Sequence, residues 1–548
     1  MYITRVPNHG SKPTILLRES YWEKGKSKNR TLLNLTHSAP DDIAAMELAL
    51  KHKKDLSALG SSKELVSLEE GLIVGSPWVV IQIANRLGIG KALGKTFEGQ
   101  LALLQVVARV LDQGSRLSAV RLAQTHAIPE FIGLTRGLDE NDLYENLKWL
   151  SSEQADIEKR FFKQRHSDNP PQLFLYDVTS SYLEGEDNAL ADWGYNRDGK
   201  RGKKQLVIGL LCDEEGEPVS TEVFAGNTQD IATFESQVKK TAERFGCKNI
   251  TVVGDKGMIK SGGIETLAAA GFHYITAITK PQMETLLKQN IFQLSFFEEN
   301  LFEVTHEGIR YVLRRNPERV LEMERKRNDK KKSLQMLLEK KNDYLTKHIR
   351  AQADKAQKEI KQKIEKLNLS RWLSVKLETR TLTLHEDLKA KGDLSRLDGC
   401  YCLKTDLPRE EADKQVIHDR YKDLAEVEWA FRTMKTGQLE LRPVFVRTDA
   451  NTRGHVFVVM LAYLVIRALR KAWEALDITV EEGLRELSSL CSMQITFKEG
   501  GSCQQIPNPR KTSAELLEAL NLSLPSLLPP RKIRIVTRHK LISRRTTP

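Results

Sequence analysis

Read for the alternation of apolar and polar positions, the chain changes character several times along its length. Its first stretch holds two strand-like runs, residues 13–21 and 31–36, on either side of a basic segment at 24–30. That pattern predicts a β-hairpin with a charged tip. With Tyr21 and Trp22 beside it, the tip reads equally as a phosphate-contacting arm or as a solvated turn. From about residue 61 the period becomes helical. Ser76 and Pro77 supply an N-cap and a first helical position ahead of WVVIQIANRLG, and Gly88 stops the helix. Further helices are expected over 97–112, 118–125 and 141–164, the last with Leu143, Leu147, Leu150, Ile157 and Phe161 along one side. Helices at such short spacing form a compact domain, in which a helix-turn-helix stands as an alternative to plain packing.

The next run, QLFLYDVTSSY, is apolar up to Asp177. Two strand candidates, Gln205–Cys212 and Pro218–Phe224, follow around the acidic turn DEEGE. A helix, the strand NITVVGDKG ending in Asp255, a short helix and the strand FHYITAI come after them. The order β, β, β, α, β, α, β predicts a mixed sheet of the ribonuclease H kind rather than a doubly wound one. The pattern breaks over 281–399. Between residues 318 and 367 there are 16 Lys or Arg against 9 Asp or Glu, with only a thin apolar stripe, which predicts a long helix or helical hairpin projecting from the core. A strand in DGCYCLKTD, a helix over YKDLAEVEWAFRTMK and a buried helix over 455–474 complete the pattern. The expected fold class is therefore mixed α+β: a ribonuclease H-like core interrupted by a large insertion and preceded by a mainly helical region. The expected divisions are a basic hairpin arm (1–60), a helical, DNA-binding or packing domain (61–168), the first part of the core (169–280), the insertion (281–399), the second part of the core (400–475) and a C-terminal region with a basic tail (476–548).

Composition narrows the function. A formal net charge of +12 over 548 residues and a pI near 9.2 draw the protein toward a polyanion, nucleic acid being the commonest. The longest apolar run, residues 456–466, is too short to span a bilayer, so no membrane partner is expected. The N-terminus lacks the apolar core of a secretion signal, and six cysteines in so long a chain form no disulfide framework; the expected location is a reducing cytoplasm. Cys400 and Cys402 have no accompanying pair to make a zinc site and read as small buried strand residues.

The chemistry rests on acids. Asp177 and Asp255 each follow an apolar run, where a carboxylate needs a cation, a donor or water. Neighbouring strands of one sheet would bring them to the same edge. The third candidate is Glu428, with Tyr421 seven residues before it and Lys435 seven after. On a single helix all three share a face, although an amphipathic surface helix with Glu428 paired to Arg432 fits the spacing as well. Together, YDVTSSYLEG, FAGNTQD, VVGDKGM and FRTMKTGQLELRPVFVRT resemble, in this order, the DDE transposases of bacterial insertion sequences, in the group with a Y-R-E-K signature and an insertion before the catalytic Glu. The signature runs Tyr, two residues, Arg, three residues, Glu, six residues, Lys. Here Tyr421, Glu428 and Lys435 match, and Leu424 stands where the family has Arg.

The resemblance implies an enzyme that cuts insertion-sequence ends and joins them to target DNA. Asp177, Asp255 and Glu428 would be catalytic and would hold two Mg²⁺ ions per active site, with Mn²⁺ able to substitute. Tyr421, Lys435 and Arg432 would contact DNA. The partners would be double-stranded DNA, as inverted-repeat ends and target, and a second copy of the chain in a synaptic homodimer, at the bacterial nucleoid. A metal-dependent nuclease of the same fold without strand transfer, and a non-catalytic DNA-binding regulator of transposase descent, are the alternatives.

Overall fold

The computed structural model describes residues 1–53, 66–167, 169–185, 187–195, 197–259, 261–497 and 502–537. They divide into two compact units, one built from the described parts of residues 1–79, 125–131 and 482–531, the other from those of 80–124, 132–481 and 532–537.

The first unit begins with three antiparallel strands, β1 (Tyr2–Asn8), β2 (Ser11–Glu23) and β3 (Lys26–Asn34). The expected hairpin is present, but its basic stretch is strand rather than tip. Register runs to Trp22↔Ser27 and Glu23↔Lys26, leaving a two-residue turn at Lys24 and Gly25 with φ of 47° and 73°. Two positive φ values suit the twist of a tight hairpin, and Arg30–Glu19 and Lys28–Glu23 ion pairs cross the strands. A basic run is therefore compatible with pairing, because every second side chain faces away from the ladder and an acid answers it. β4 (Val66–Ile73) belongs to a separate sheet completed from the far end of the chain.

The second unit is organised by an eight-stranded sheet. Its strands are β5 (Leu173–Tyr182), β6 (Gln205–Cys212), β7 (Pro218–Phe224), β8 (Thr251–Gly254), β9 (His273–Ala277), β10 (Phe302–His306), β11 (Ile309–Arg315) and, after the insertion hairpin β12 (Leu373–Glu378) and β13 (Thr381–Glu386), β14 (Cys400–Thr405). Spatial order is β10-β11-β14-β9-β8-β5-β6-β7. β5, β6 and β7 are antiparallel neighbours, while β8 and β9 run parallel to β5. Three antiparallel strands flanked by two parallel ones is the ribonuclease H arrangement, here widened by β14, β11 and β10. The insertion thus starts inside the sheet and leaves it only after Arg315. In the first unit, β15 (Cys491–Phe497) pairs with both β16 (Ser502–Gln505) and β4.

Helix Asp449–Trp473 is buried without a break from His455 to Ile466 and packs on helices Glu140–His166 and Phe97–Leu111 and on β7. Those two helices carry the expected periodicity. The longer is started by an Asp139 capping box. The shorter is buried at every position from Leu101 to Val110, so it cannot enter a DNA groove. Phe162 stacks on Phe174 of β5 and on Phe245. Helix Glu140–His166 therefore shares its core with the sheet.

The insertion is a helical hairpin, Pro317–Lys347 and Ala353–Lys366, closed by the β12–β13 hairpin that sequence reading did not anticipate. Its stripe is thin because two thin stripes meet: Leu334, Leu338 and Leu345 face Ile360 and Ile364, with Trp372 and Leu382 added from the strands. Ile360 is fully buried there, so Ile360→Ala should destabilise the insertion by about 2–5 kcal/mol. Hydrogen exchange should show the loss concentrated in residues 334–382. Uniform loss across β5–β9 would contradict an insertion with a core of its own. Of the expected basic tail, residues 538–548 lie outside the described residues, and Arg531 pairs with Glu130 within the first unit.

Candidate active site

β5 does not end at Asp177 as its apolar run suggested. The strand continues to Tyr182, with Asp177 opposite Leu210 of β6. On its other side β8 does end, its last pair being Tyr176↔Gly254. The chain turns away at the next residue, Asp255, beside Asp177. A long strand next to a short one thus sets two carboxylates side by side at the point where the parallel ladder stops.

Helix Leu424–Lys435 supplies the third. Val427, Ala430, Phe431 and Met434 are its buried face and it packs on β5, leaving Glu428 exposed. Asp177, Asp255, Glu428 and Tyr421 line one cavity of about 510 Å³, together with Lys256, Lys280, Lys422, Tyr401 and His418. The Asp177 carboxyl is pushed up to about 7, first by burial and then by the charges of Asp255 and Glu428, against a hydrogen bond from the Val178 N–H and the attraction of Arg197. Lys256 N–H donates to Asp255 Oδ1 at 2.8 Å, and the Tyr421 hydroxyl lies 3.4 Å from the same oxygen. Burial and this carboxylate raise the Tyr421 phenol well above its ordinary value, so it stays a protonated donor.

The three carboxylates are hard oxygen donors that suit Mg²⁺ or Mn²⁺, and the mutual repulsion felt at Asp177 is the charge a cation would offset. Among the described residues no three or more His, Cys, Asp or Glu side chains stand close enough together to hold a metal ion as they are. The donor set fits a divalent ion in its chemistry, with the carboxylates gathered around one space rather than clamped together.

The remaining expectations fare differently. Tyr421 does not share a helix with Glu428, because the predicted single helix is two, Lys414–Lys422 and Leu424–Lys435, joined at Asp423. Tyr421 reaches the cavity across that joint. Arg432 is exposed one turn beyond Glu428, away from the lining residues. Lys435 is buried: its ammonium lies 2.9 Å from Asp198 Oδ1, which Arg442 also approaches at 2.6 Å. A lysine held in an internal ion cluster is not presented to DNA. Leu424, standing where the signature has Arg, lines the cavity. The sequence pattern singled out neither Lys256 nor Lys422, although each adjoins a singled-out residue. It had no route to His418, whose buried ring bonds Arg314, Tyr401 and Asp419.

A sequence profile for the transposase DDE domain matches residues 168–465, and one for the N-terminal domain of IS1634 family transposases matches residues 2–63. No curated protein sequence matches the chain. Among solved structures, a piggyBac transposase synaptic complex with hairpin DNA aligns over 72% of this chain and 70% of its own at 8% identity and a TM-score of 0.34. A Mos1 transposase paired-end complex with the left transposon end aligns over 32% of this chain and 57% of its own at 10% identity and a TM-score of 0.15. Among the described residues no helix is long and apolar enough to cross a membrane.

Proposed function

The chain belongs to the DDE transposases, and from that premise we propose that it cuts the ends of an insertion sequence and joins them to target DNA at the cavity bounded by Asp177, Asp255 and Glu428. The observation that carries this reading is the convergence of those three acids, drawn from a strand, a strand end and a separate helix, on one space lined also by lysines.

The three carboxylates would hold two divalent ions, which when bound activate the attacking oxygen and stabilise the leaving 3′-oxygen. What the chain itself does follows from its side chains. Asp177, half-buried at the ladder's end, fixes the centre of the site. Glu428 approaches from a helix, so its position depends on how that helix seats on β5. Tyr421 donates toward Asp255 and holds that carboxylate's orientation. Lys256 and Lys422, at the rim, supply point charges for the DNA backbone, the part first assigned to Lys435. In this reading a second copy of the chain holds the second end, and the protein works on the nucleoid in the cytoplasm.

Incubating the purified chain with its terminal repeats, a target duplex and Mg²⁺ tests the proposal. Joining of transposon 3′-hydroxyls to target is expected, whereas cleavage without joining would favour the nuclease alternative. DNA affinity should also fall steeply with salt, because phosphate contacts release counterions. Lys256→Gln and Lys422→Gln should each reduce the slope of log affinity against log salt by about one; unchanged slopes would remove these lysines from the interface.

A further inference from the structure

A second cavity, of about 760 Å³, lies in the same unit between the end of helix Phe97–Leu111, the loop after it and the start of helix Asp449–Trp473. Two buried arginines line it, Arg109 and Arg116, exposed by only 6% and 5%. Their hydrogen bonds go to neutral acceptors. Arg109 donates to the carbonyls of Gln113 and Gly114 at 2.6 and 3.2 Å, and Arg116 donates to the Gln105 amide oxygen and lies 3.1 Å from His455 Nδ1. Burial and the two guanidiniums hold His455 well below its ordinary pKa, so the imidazole stays neutral and adds no repulsion.

Dipoles satisfy the donors without cancelling the charge. Asp112 and Glu440 act on Arg109 only through space, and Asp112 is engaged by the Ser118 hydroxyl. Burial and the neighbouring Arg109 lower even Arg116, to about 9, which still leaves both guanidiniums charged at neutral pH. Two buried cations without a bonded counter-ion are costly, and one donor among them, the Arg109 Nε–H, has no hydrogen-bond partner. Arg447 and Glu440 also line the cavity but are both exposed, so the buried charge is that of Arg109 and Arg116.

We propose that this cavity binds a phosphate group, with Arg109 and Arg116 as its counter-charges. A phosphate suits the pair because it accepts several hydrogen bonds from fixed guanidinium forks. Its source is a nucleic-acid strand or a free nucleotide. Assignment to the strand rests on the DNA reading above; binding of the phosphate itself does not.

Thermal unfolding of the full chain in inorganic phosphate, in a deoxynucleoside monophosphate and in chloride at equal ionic strength tests this, with Arg116→Gln and Asn451→Asp alongside. Phosphate should raise the wild-type Tm by about 2–5 °C over chloride. Asn451→Asp places a carboxylate in the cavity, so it should unfold at higher temperature than wild type in chloride and gain nothing from phosphate. It keeps the test decisive if Arg116→Gln fails to fold. A roughly tenfold loss of duplex affinity in Asn451→Asp, with the salt slope smaller by about one, assigns the phosphate to a strand. Unchanged duplex affinity, or no DNA binding by any form, together with a lost phosphate response assigns it to a free nucleotide. Phosphate stabilising wild type no more than chloride, or stabilising wild type and Asn451→Asp equally, overturns the proposal.

Discussion

Asp177→Asn and Asp255→Asn should each lower end cleavage by at least about a thousandfold, the scale expected when a centre that stabilises developing charge is dismantled. Folding and end binding should stay close to wild type. Both exchanges keep shape and remove charge. At Asp177 the effect on stability should even be favourable, because its half-buried carboxylate stands beside two others and is held up to about 7, a destabilising charge in the metal-free protein. Single-turnover cleavage and thermal unfolding, measured on the same preparations, separate the two effects. Loss of cleavage accompanied by an equal loss of folded protein would mean that these acids are structural.

The second large effect concerns Asp198, outside the cavity. Its carboxylate is almost wholly buried and receives both Lys435 and Arg442, with the Tyr182 N–H 3.3 Å from its second oxygen. Asp198→Asn would leave two cations facing a neutral amide, and removing one partner of a buried pair costs about 3–5 kcal/mol. Adding Lys435→Met should recover part of that loss, since the uncompensated ammonium goes with it. Lys435→Met alone should lower stability while leaving the salt slope of DNA binding unchanged. A slope reduced by about one with stability intact would return Lys435 to the DNA interface. The arrangement gives the last position of the signature a structural reason in this chain: it ties the end of the Glu428 helix to the loop after β5, and so sets where Glu428 stands.

The legible parts of the sequence were those in which one periodicity held over a whole element. The strands around Asp177 and Asp255 and the helix Glu140–His166 follow from apolar spacing, as does the buried helix Asp449–Trp473, although the spacing places its start at 455 and misses its polar first turn before His455. What escaped depended on partners distant in the chain. β10 and β11 alternate weakly and become strands because β14, far along the sequence, offers an edge. The β12–β13 hairpin carries Lys376 and Glu378 opposite Thr383 and Thr381 on its open face and buries only Leu373 and Leu382 fully, a signal too sparse to read between charged helices. The Asp423 joint has no Gly or Pro to announce it; Asp423 keeps helical dihedrals, and the helix stops and restarts there all the same. For the site, the three acids could be singled out because each follows or sits within an apolar pattern. The fate of Lys435 could not, since its partner Asp198 lies in a loop without periodicity.

The central claim is that Glu428, and not another acid of its helix, completes the site with Asp177 and Asp255. Glu426 is the control the structure provides, since it lies on the same helix but pairs with Arg467 at 2.9 Å, away from the cavity. Cleavage of duplex transposon ends in Mg²⁺ by wild type, Glu428→Gln and Glu426→Gln tests the claim directly. The account predicts cutting by wild type, near-normal cutting by Glu426→Gln and none detectable by Glu428→Gln; normal cutting by Glu428→Gln, or its loss in Glu426→Gln instead, would contradict it.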